Sequence, residues 1–245
     1  MGTENKNKKE ILNVNYCKDF LMIFKEKNIA FILNKLNEYG KGYLVGGAVR
    51  DKLLNIHVKD YDFATNIDYE KLKQIFKEFC PVELGKKFGV LEINIDNKIY
   101  EIAKFRREDN YKKHRYPNTI EFIDDIKIDL HRRDFTINAL AYNPINNEII
   151  DLFNGKEDLN NKIIRFIGNP NKRIIEDALR ILRAIRFATV LNFNIELLSL
   201  KAMTDNCDLV RYIPEKKMKE EIEKIKLSKN SEYGFLLLKN LNIML

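Results

Sequence analysis

Apolar residues recur with a helical period in two stretches of the first half of the chain, at residues 20–37 and 69–79. Within residues 89–95 and 99–105, apolar and polar residues alternate instead, which predicts two strands joined by a turn at Asp96-Asn97. A short strand is also predicted at residues 42–45, just before a pair of glycines. The first half of the chain is therefore predicted to be mixed α and β.

In the second half the strand pattern fades and helical periodicity dominates. Helices are predicted at residues 169–188, 197–203, 215–226 and 232–241. Residues 106–118 are polar and show no periodicity, so they are predicted to form a mobile loop. A domain boundary is predicted near residue 145. We expect an N-terminal tail and helix at residues 1–37, a mixed α and β head at 38–144 and a helical neck at 145–245.

The composition narrows the class of protein. The chain has 245 residues, of which 45% are hydrophobic and 32% are charged, enough for one large domain or two modest ones. No apolar run reaches the length of a membrane span and the first ten residues are polar, so we expect a cytoplasmic protein without a membrane partner. The cysteines and histidines show no metal-ligand spacing, which argues against a zinc site.

Positive charge is concentrated in a few places. The formal net charge is +7, and the basic residues cluster at residues 104–107, 112–115, 131–133 and 173–186. Because an excess of Lys and Arg favours a polyanionic partner, this placement predicts nucleic-acid binding. Solubility alone is the other explanation for a basic chain.

Two aspartates one residue apart, Asp60 and Asp62, follow the turn formed by Gly46 and Gly47. Side chains at positions i and i+2 of a strand project from the same face, so these carboxylates can hold divalent cations together. A double-glycine turn that opens a helix, with Arg50 in its first turns, suits a triphosphate bound by the glycine amides and the arginine. Each feature alone is common, as a solvated Asp-x-Asp pair or a tight turn. Their adjacency favours a metal-dependent nucleotidyltransferase.

A further carboxylate, Glu101, shares a strand face with Ile99, Ala103 and Phe105. A lone carboxylate on an apolar stripe is costly unless it is paired or bound to a metal. Two interpretations are open. Glu101 pairs with a Lys or Arg near the end of the strand, or it joins the aspartate pair as a third catalytic carboxylate.

Residues 132–138 place basic, acidic and amide groups at helical spacing. Asp134 and Asn138 are spaced i and i+4, so they are predicted to face the same way. These side chains can hydrogen-bond ribose hydroxyls while Arg133 meets a phosphate. The competing interpretation is a helix start in which Asp134 is a cap that forms an internal ion pair.

The predicted helix at residues 169–188 carries Asp177 and Arg180 at i and i+3, and Arg183 and Arg186 continue as a basic stripe. Cytosine and adenine both present an exocyclic amine beside an acceptor nitrogen, which suits an Asp acceptor next to an Arg donor. Uracil and guanine place a carbonyl where Asp177 would repel it, and such a mismatch costs roughly 1–3 kcal/mol. The alternative is a surface helix held by its own salt bridges.

Together these residues resemble the class II tRNA nucleotidyltransferases, the family of CCA-adding enzymes and bacterial poly(A) polymerases within the polymerase-β superfamily. Residues 44–51 with Asp60-Tyr-Asp62 are similar to its first motif, residues 132–140 to its ribose motif and residues 176–180 to its base-reading motif. The resemblance runs in the same order from about Tyr39 to the end of the chain. It implies an α+β fold, with a polymerase-β-like head that contains a mixed sheet, followed by an all-helical neck.

The resemblance also implies roles for individual residues. Mg²⁺ ions in a two-metal mechanism would be held by Asp60 and Asp62. The nucleotide would be contacted by Gly47, Arg50 and Arg133 at its phosphates and sugar and by Asp177 and Arg180 at its base, with Arg183 and Arg186 assisting. The implied substrates are CTP, ATP and the 3′ end of a tRNA, to which C and A are added with release of pyrophosphate. Residues 104–117 resemble the flexible loop that accompanies the family's switch from adding C to adding A.

Rival functions stay open. A poly(A) polymerase, or an enzyme that adds only A, would share every motif and use ATP alone. A catalytically inactive RNA-binding module would keep the basic helix without turnover. Family members continue into body and tail domains, and we expect both to be absent because the chain ends where the neck would end. Three explanations are consistent with a chain that ends there: a natural minimal enzyme, a truncated product, or a fragment that needs a partner or a second copy.

Overall fold

The computed structural model describes residues 26–243 of the chain. The main strands are β1 (Gly42–Val45), β2 (Asp62–Thr65), β3 (Val82–Gly85), β4 (Val90–Ile95), β5 (Lys98–Lys104), β8 (Leu140–Asn143) and β9 (Glu148–Asp151). They form one mixed sheet in the order β3-β4-β5-β2-β1-β8-β9. In this sheet β2 and β5 are parallel and the other neighbours are antiparallel.

Helices and two small strand pairs complete the described fold. The helices of the first half are α1 (Lys27–Tyr39), α2 (Gly47–Leu53), α3 (Tyr69–Ile75) and α4 (Ile126–His131). Those of the second half are α5 (Gly155–Asn160), α6 (Pro170–Glu176), α7 (Leu179–Leu191), α8 (Leu197–Asp205), α9 (Glu215–Lys226) and α10 (Ser231–Asn240). The small pairs are the antiparallel hairpin of β6 (Arg106–Lys112) and β7 (Tyr116–Phe122) and the parallel pair of β10 (Ile163–Ile164) and β11 (Asn194–Ile195). Over residues 26–243, no helix combines the length and the apolar character needed to cross a bilayer.

The two faces of the main sheet meet different surroundings. On one face Leu44 and Phe63 join the main hydrophobic core, together with residues of α1 and α3. On the other face Val45 belongs to a smaller cluster that includes residues of α4. Beyond that small cluster the described residues leave the second face open, and Asp62 and Glu101 are exposed there.

Strand register sets the place of the first predicted motif. Val45, the last residue of β1, pairs with Asp62 at the start of β2, and Asp62 pairs in turn with Glu101 of β5. Directly paired residues project from the same face of a sheet. The turn that follows β1 is therefore next to the acidic residue that opens β2.

Helix α7 organises the second half of the chain, with α9 and α10 packed against it. Its buried residues, such as Ile181 and Ile185, belong to the same continuous core as the buried residues of the sheet. The predicted division into a head and a neck at residues 144–145 therefore stays a prediction. The expectation that the neck is all-helical is wrong, because β9, β10 and β11 lie after residue 145 and β9 pairs with β8 in the main sheet. The mixed-sheet α+β class is confirmed, and the helices predicted at residues 197–203, 215–226 and 232–241 are found as α8, α9 and α10.

The prediction of a mobile loop at residues 106–118 is wrong, because β6 and β7 form a hairpin there. The hairpin is a separate two-stranded ribbon outside the main sheet. Polar side chains line both strands and few are fully buried, so the alternation that reveals a half-buried strand is missing. At the tip of the hairpin, Lys113 and His114 have positive φ values of 52° and 50°, which close the turn.

The helix predicted at residues 169–188 is interrupted. Helix α6 ends at Glu176 and α7 begins at Leu179, while Asp177 between them is extended, with φ −143° and ψ 100°. The tip of the hairpin occupies this break, because the Ala178 N–H donates to the carbonyl oxygen of His114 (2.8 Å). A contact with a distant segment thus replaces a helical hydrogen bond, and helical periodicity cannot reveal it.

Residues 132–138 do not form the expected continuous helix. Helix α4 ends at His131, and a single 3₁₀ turn covers Thr136–Asn138. Between them Phe135 has an extended backbone and forms a β-bridge with Phe166. This pairing draws the chain out of the helical conformation.

Two element boundaries differ from expectation. The strand expected to carry both aspartates begins at Asp62, so Asp60 precedes it. Helix α1 begins at Lys27, whereas the predicted N-terminal tail and the predicted helix start at residue 20 lie outside the described residues. The predicted turn between β4 and β5 is confirmed, with positive φ values of 53° at Asp96 and 61° at Asn97.

Gly155, at the start of α5, packs directly against the backbone of the segment that carries the predicted ribose-binding residues. A Cβ atom there would lie 2.4 Å from the carbonyl oxygen of Thr136 and 3.0 Å from its carbonyl carbon. Because backbone atoms cannot rotate away, we predict that Gly155→Ala lowers the free energy of unfolding by about 2–3 kcal/mol, in the upper part of the range for overpacking. Urea denaturation followed by circular dichroism measures this loss.

The control for this prediction is Gly168→Ala. Gly168 has φ 70°, but no atom of residues 26–243 lies within 4 Å of an added Cβ, so this variant should lose only the roughly 1 kcal/mol of left-handed backbone strain. An equal loss in the free energy of unfolding in the two variants would contradict the packing explanation.

Candidate active site

The turn between β1 and α2 leaves open space at the point where three motifs meet. Gly46 has φ 69° and ψ −130°, which residues with a Cβ rarely adopt. A Cβ at Gly46 would lie 3.1 Å from Nη1 of Arg133 and 3.9 Å from Oδ2 of Asp62. The Gly46 N–H donates to the carbonyl oxygen of Leu140 (3.0 Å). The expectation that both glycine amides face a phosphate is therefore wrong for Gly46, whose amide extends the sheet.

Gly47 and Arg50 occupy the first turn of α2. Arg50 is 8% exposed, and its Nε donates to Oδ1 of Asp51 (2.7 Å). Among the described residues, a Cβ at Gly47 would meet only the Arg50 guanidinium, at 3.5 Å. The start of α2 thus combines the positive end of a helix with a guanidinium group.

Acidic side chains form a row across the open face of the sheet. Asp62, Glu101 and Glu92 are paired in register on β2, β5 and β4, so their side chains share that face. Asp60, two residues before Asp62, adds its negative charge to the row. Glu92 is a member that sequence reasoning missed, because only the register of β4 against β5 brings it there.

Burial and neighbouring charges make these carboxyl groups harder to ionise. Asp62 is accessible to solvent, yet enough protein surrounds its carboxyl group that desolvation raises its pKa; the Arg133 guanidinium opposes this rise and Asp60 adds to it. Desolvation also raises the pKa of Glu101, and the charge of Asp62 reinforces the rise. Within residues 26–243, the carboxylates of Asp60, Asp62 and Glu101 take part in no salt bridge or side-chain hydrogen bond. They are free to bind a ligand.

The reason for singling out Glu101 is wrong, although its place beside Asp62 is real. Ile99 on the same face is 58% exposed, whereas Tyr100 and Ile102 point into the core. Glu101 thus lies on the open face rather than on a buried apolar stripe. In the described part of the chain, no three or more His, Cys, Asp or Glu side chains are gathered as a ready-made metal site. A third catalytic carboxylate at Glu101 stays a prediction.

A buried carboxylate directs Arg133 toward the Gly46 turn. Asp129 is 1% exposed and accepts hydrogen bonds from Nη2 of Arg133 (3.2 Å), Nε of Arg132 (2.9 Å) and the Arg106 N–H (3.1 Å). Burial alone would raise the pKa of Asp129, but the Arg132 and Arg133 guanidinium groups hold it below its usual value. Asp129 therefore stays charged and orients Arg133.

Hydrogen bonds join α2 to α7 through the predicted ribose-binding residues. Nη1 of Arg50 donates to Oδ1 of Asn138 (2.6 Å), and Nδ2 of Asn138 donates to Oδ1 of Asp134 (3.2 Å). Oδ2 of Asp134 accepts from Nε of Arg183 (2.7 Å). Burial would raise the pKa of Asp134, but Arg183 and the hydrogen bonds lower it to about 2. Asp134 and Asn138 thus meet as expected, although no helix connects them.

Asp177 and Arg180 do not form the expected pair of acceptor and donor. Oδ1 of Asp177 accepts from the Leu179 N–H (3.1 Å), and its Oδ2 accepts from Arg115 at the tip of the hairpin. Desolvation raises the pKa of Asp177, which the charge of Arg115 opposes. Arg180 is 5% exposed and donates to Oε2 of Glu176 (3.0 Å). Each member of the predicted pair is thus held by other protein groups.

The basic stripe on α7 is tied to other elements. Arg183 reaches Asp134, and Nε of Arg186 donates to Glu221 of α9, which is 5% exposed. The guanidinium carbon of Arg186 also lies 3.8 Å from the centroid of the Phe187 ring. Arg183 and Arg186 therefore do not belong to a surface helix held by its own salt bridges.

The described contacts bring the predicted residues into two adjoining groups. One contains the free carboxylates beside Gly46 and Arg133, and the other contains the basic residues of α2 and α7 around Asp134. Free carboxylates next to guanidinium groups can bind a cation and a polyphosphate side by side. Sequence reasoning missed several positioning groups: Glu92, Asp129, Arg115, Glu221 and Phe187. Only Asp129 had a local signal, because it stands four residues before Arg133 and next to the basic run.

Comparison with known proteins gives consistent matches. A family model described as the poly A polymerase head domain matches residues 42–165, just over half of the chain. Relatives include the CCA-adding enzyme of Lactobacillus helveticus, 41% identical over 205 residues, and that of Enterococcus faecalis, 42% identical over 209 residues. These alignments cover 83% and 85% of this chain and 51% of each relative. The chain spans about half the length of the curated relatives it matches.

Solved structures share the fold. The Bacillus stearothermophilus CCA-adding enzyme in complex with CTP matches with a TM-score of 0.79 at 34% identity, covering 88% of this chain and 51% of that one. The Thermotoga maritima CCA-adding enzyme complexed with tRNA-CCA matches with a TM-score of 0.73 at 28% identity, covering 92% of this chain and 54% of that one. These matches confirm the mixed-sheet α+β fold that the motifs implied.

The raised pKa of Asp62 predicts how stability depends on pH. A carboxyl group whose pKa is raised by folding carries no penalty below its unfolded pKa, near 3.9. It destabilises the fold as the pH rises through the folded pKa and the group ionises. Asp62→Asn should therefore gain stability over the wild type as the pH rises from the unfolded pKa, near 3.9, through the raised folded pKa, without divalent cations. Urea midpoints in the presence of a chelator measure this difference.

The matched control is Asp208→Asn, which removes an exposed carboxylate paired with the exposed Arg211. It should show no such gain. Parallel curves for Asp62→Asn and the wild type across this pH range would show that the Asp62 charge carries no folding penalty.

Proposed function

The chain belongs to the family of the poly(A) polymerase head domain, and from this membership we propose that it is the catalytic part of a tRNA nucleotidyltransferase. It adds C and A to the 3′ end of a tRNA without a template, using CTP and ATP and releasing pyrophosphate. The observation that carries the proposal is the pair Asp60 and Asp62, whose carboxylates take part in no salt bridge or side-chain hydrogen bond within the described residues. Asp62 lies beside Gly46 and Arg133, and the charge of Asp60 acts on Asp62. Relatives named CCA-adding enzymes, and their complexes with CTP and tRNA, support the choice of substrates.

The donor set of the aspartate pair fits magnesium. Asp60 and Asp62 offer hard carboxylate oxygens that are free among residues 26–243, and the raised pKa of Asp62 marks a negative charge that the protein alone does not balance. Mg²⁺ is usually bound by one or two carboxylates together with substrate phosphates. We propose that Asp60 and Asp62 hold Mg²⁺ in a two-metal arrangement, which when bound would offset phosphate charge and activate the attacking 3′-hydroxyl.

The chain's own groups position the nucleotide in this proposal. Arg133, directed by Asp129, and Arg50 at the start of α2 bind phosphate oxygens. Nδ2 of Asn138 keeps one N–H beyond its bond to Asp134, which a ribose hydroxyl can use. Asp134 also accepts from the Phe135 N–H and from Arg183, so it has to exchange one of these bonds to bind a ribose hydroxyl. Because phosphoryl transfer needs little covalent chemistry from the protein, this positioning supplies most of the rate.

Base selection is proposed for Asp177 and Arg180, while Arg183 and Arg186 assist elsewhere on the nucleotide. The carboxylate of Asp177 has spare lone pairs beyond its two hydrogen bonds, so it can still accept from an exocyclic amine. Arg180 has to exchange its bond to Glu176 to reach a ring nitrogen. Nucleotide binding is therefore accompanied by a local rearrangement around the break between α6 and α7.

The hairpin of β6 and β7 is proposed as the element that accompanies the switch from C to A. Its tip contacts the base-reading segment at three points: His114 accepts from the Ala178 N–H, Nδ1 of His114 lies 2.8 Å from the Ile175 carbonyl oxygen, and Arg115 donates to Asp177. Movement of the hairpin would thus change the surroundings of Asp177 directly.

A poly(A) polymerase is the second candidate, because the matching family model carries that description. Such an enzyme would use ATP alone and extend RNA processively, so the length of the product on a gel separates the two functions. A catalytically inactive RNA-binding module would bind RNA without Mg²⁺-dependent release of pyrophosphate.

We predict that Asp60→Ala abolishes nucleotide incorporation, by at least roughly 10²–10³-fold, because the site loses one of the two carboxylates proposed to hold Mg²⁺. The measurement is incorporation of labelled CMP and AMP into a tRNA that lacks its CCA end. Since Asp60 is exposed, the fold should be retained, as circular dichroism would show. Asp208→Ala, which removes an exposed carboxylate paired with the exposed Arg211, is the control and should stay active. Normal turnover of Asp60→Ala would remove the proposed metal role.

A second prediction concerns the base. Asp177→Ala should weaken the preference for CTP and ATP over UTP and GTP by roughly 5- to 150-fold, the equivalent of 1–3 kcal/mol for a base contact. Ratios of kcat/KM for the four nucleotides measure this preference. Asp205→Ala, at an exposed carboxylate of α8, should leave the ratios unchanged. Unaltered selectivity in Asp177→Ala would mean that the base is read elsewhere.

A further inference from the structure

Three arginine side chains from two helices converge on one aromatic ring. The guanidinium carbons of Arg186, Arg50 and Arg183 lie 3.8, 5.0 and 5.5 Å from the centroid of the Phe187 ring. Arg50 comes from α2, whereas Phe187 and the other two arginines lie on α7. Phe187 is only 6% exposed, so these contacts form inside the protein.

The polar partners of the three arginines are different. Arg50 donates to Asp51 and Asn138, Arg183 donates to Asp134, and Arg186 donates to Glu221. Among the described residues, the Phe187 ring is the contact that the three arginines have in common. The ring, rather than a shared carboxylate, therefore relates their positions to one another.

Each of the three guanidinium groups is paired with its own carboxylate, and the ring adds an attraction that all three share. The face of an aromatic ring carries a negative quadrupole that attracts a cation within about 6 Å of its centroid. Arg186, at 3.8 Å, is close enough for its planar guanidinium to stack on the ring. The ring thus lets positive groups from α2 and α7 share one site.

We propose that Phe187 is a positioning residue that fixes the spacing of Arg50, Arg183 and Arg186 for the triphosphate of the incoming nucleotide. This inference rests on the proposed function and adds a residue to it that acts through the arginines rather than on the substrate. Donors held in place before the nucleotide arrives need less ordering when it binds, which strengthens binding.

Phe187 also packs in the core, and this structural role has to be separated from positioning. Its ring meets the Phe135 ring edge-on, with 5.7 Å between centroids, and Phe135 packs in turn against Phe166 at 5.0 Å. Phe166 is 2% exposed, and no guanidinium within residues 26–243 lies over its ring. Phe166→Leu therefore removes a buried ring from the same aromatic group without touching the arginines, and it is a matched control.

The test compares Phe187→Leu with Phe166→Leu and with Phe187→Tyr, which keeps the ring. Calorimetric titration with inorganic tripolyphosphate, without RNA or divalent cations, measures phosphate binding apart from base recognition and catalysis. We expect Phe187→Leu to raise the Kd for tripolyphosphate about tenfold, on the scale of one desolvated contact between a cation and a ring. The KM for CTP and ATP should rise by a similar factor, with kcat within about twofold of the wild type.

The controls decide between positioning and packing. Phe187→Tyr should bind tripolyphosphate like the wild type, and Phe166→Leu should lower the Tm without changing the Kd. Unchanged Kd and KM in Phe187→Leu would overturn the inference. An equal loss of affinity for tripolyphosphate in Phe187→Leu and Phe166→Leu would overturn it as well. If Phe187→Leu does not fold, Phe187→Met takes its place with the same outcomes. Failure of the wild-type chain to incorporate any nucleotide would contradict the proposed function instead, while tripolyphosphate binding would still test the ring.

Discussion

The buried carboxylate of Asp134 holds the two parts of the candidate site together. It accepts from Arg183 on α7 and from Asn138, and Asn138 in turn accepts from Arg50 on α2. A charge that is 8% exposed is tolerated only while its partners stay in place, and loss of one partner typically costs about 3–5 kcal/mol. Separation of the sheet edge from α7 would therefore leave the Asp134 carboxylate buried without its partners. The position of the basic residues relative to the Gly46 turn follows from that constraint.

The fold treats its acidic residues in two ways. Asp129 and Asp134 are buried, have lowered pKa values and are fully occupied in orienting arginines. Asp60 and Asp62 have no salt bridge or side-chain hydrogen bond in the described part of the chain, and Asp62 has a raised pKa. Leaving a carboxylate uncompensated destabilises the apoprotein, but it also leaves oxygens free for a ligand. A functional site often lowers the stability of the folded protein in this way, by keeping some carboxylates unpaired while others are paired with arginines.

Much of the fold could be predicted from local sequence, and so could many of the residues that the structure brings together at the candidate site. Helical periodicity identified α8, α9 and α10, and the alternation around Asp96-Asn97 identified a hairpin. Features set by contacts between distant segments could not be predicted. The break at Asp177 depends on the hairpin tip at His114, and the extended Phe135 depends on its bridge to Phe166. The ring of Phe187 and its arginines likewise come together only in the folded chain, as does Glu92 beside Glu101.

The most direct measurement offers tRNAs that lack A, CA or CCA to the wild-type chain, with Mg²⁺ and each nucleoside triphosphate supplied separately. We expect CTP to extend the end that lacks CCA and the end that lacks CA, and ATP to extend the end that lacks only A, with pyrophosphate released in each case. UTP and GTP should give little product. Binding of these tRNAs without extension by any nucleotide would contradict a nucleotidyltransferase, and a long tract made from ATP alone would contradict CCA addition.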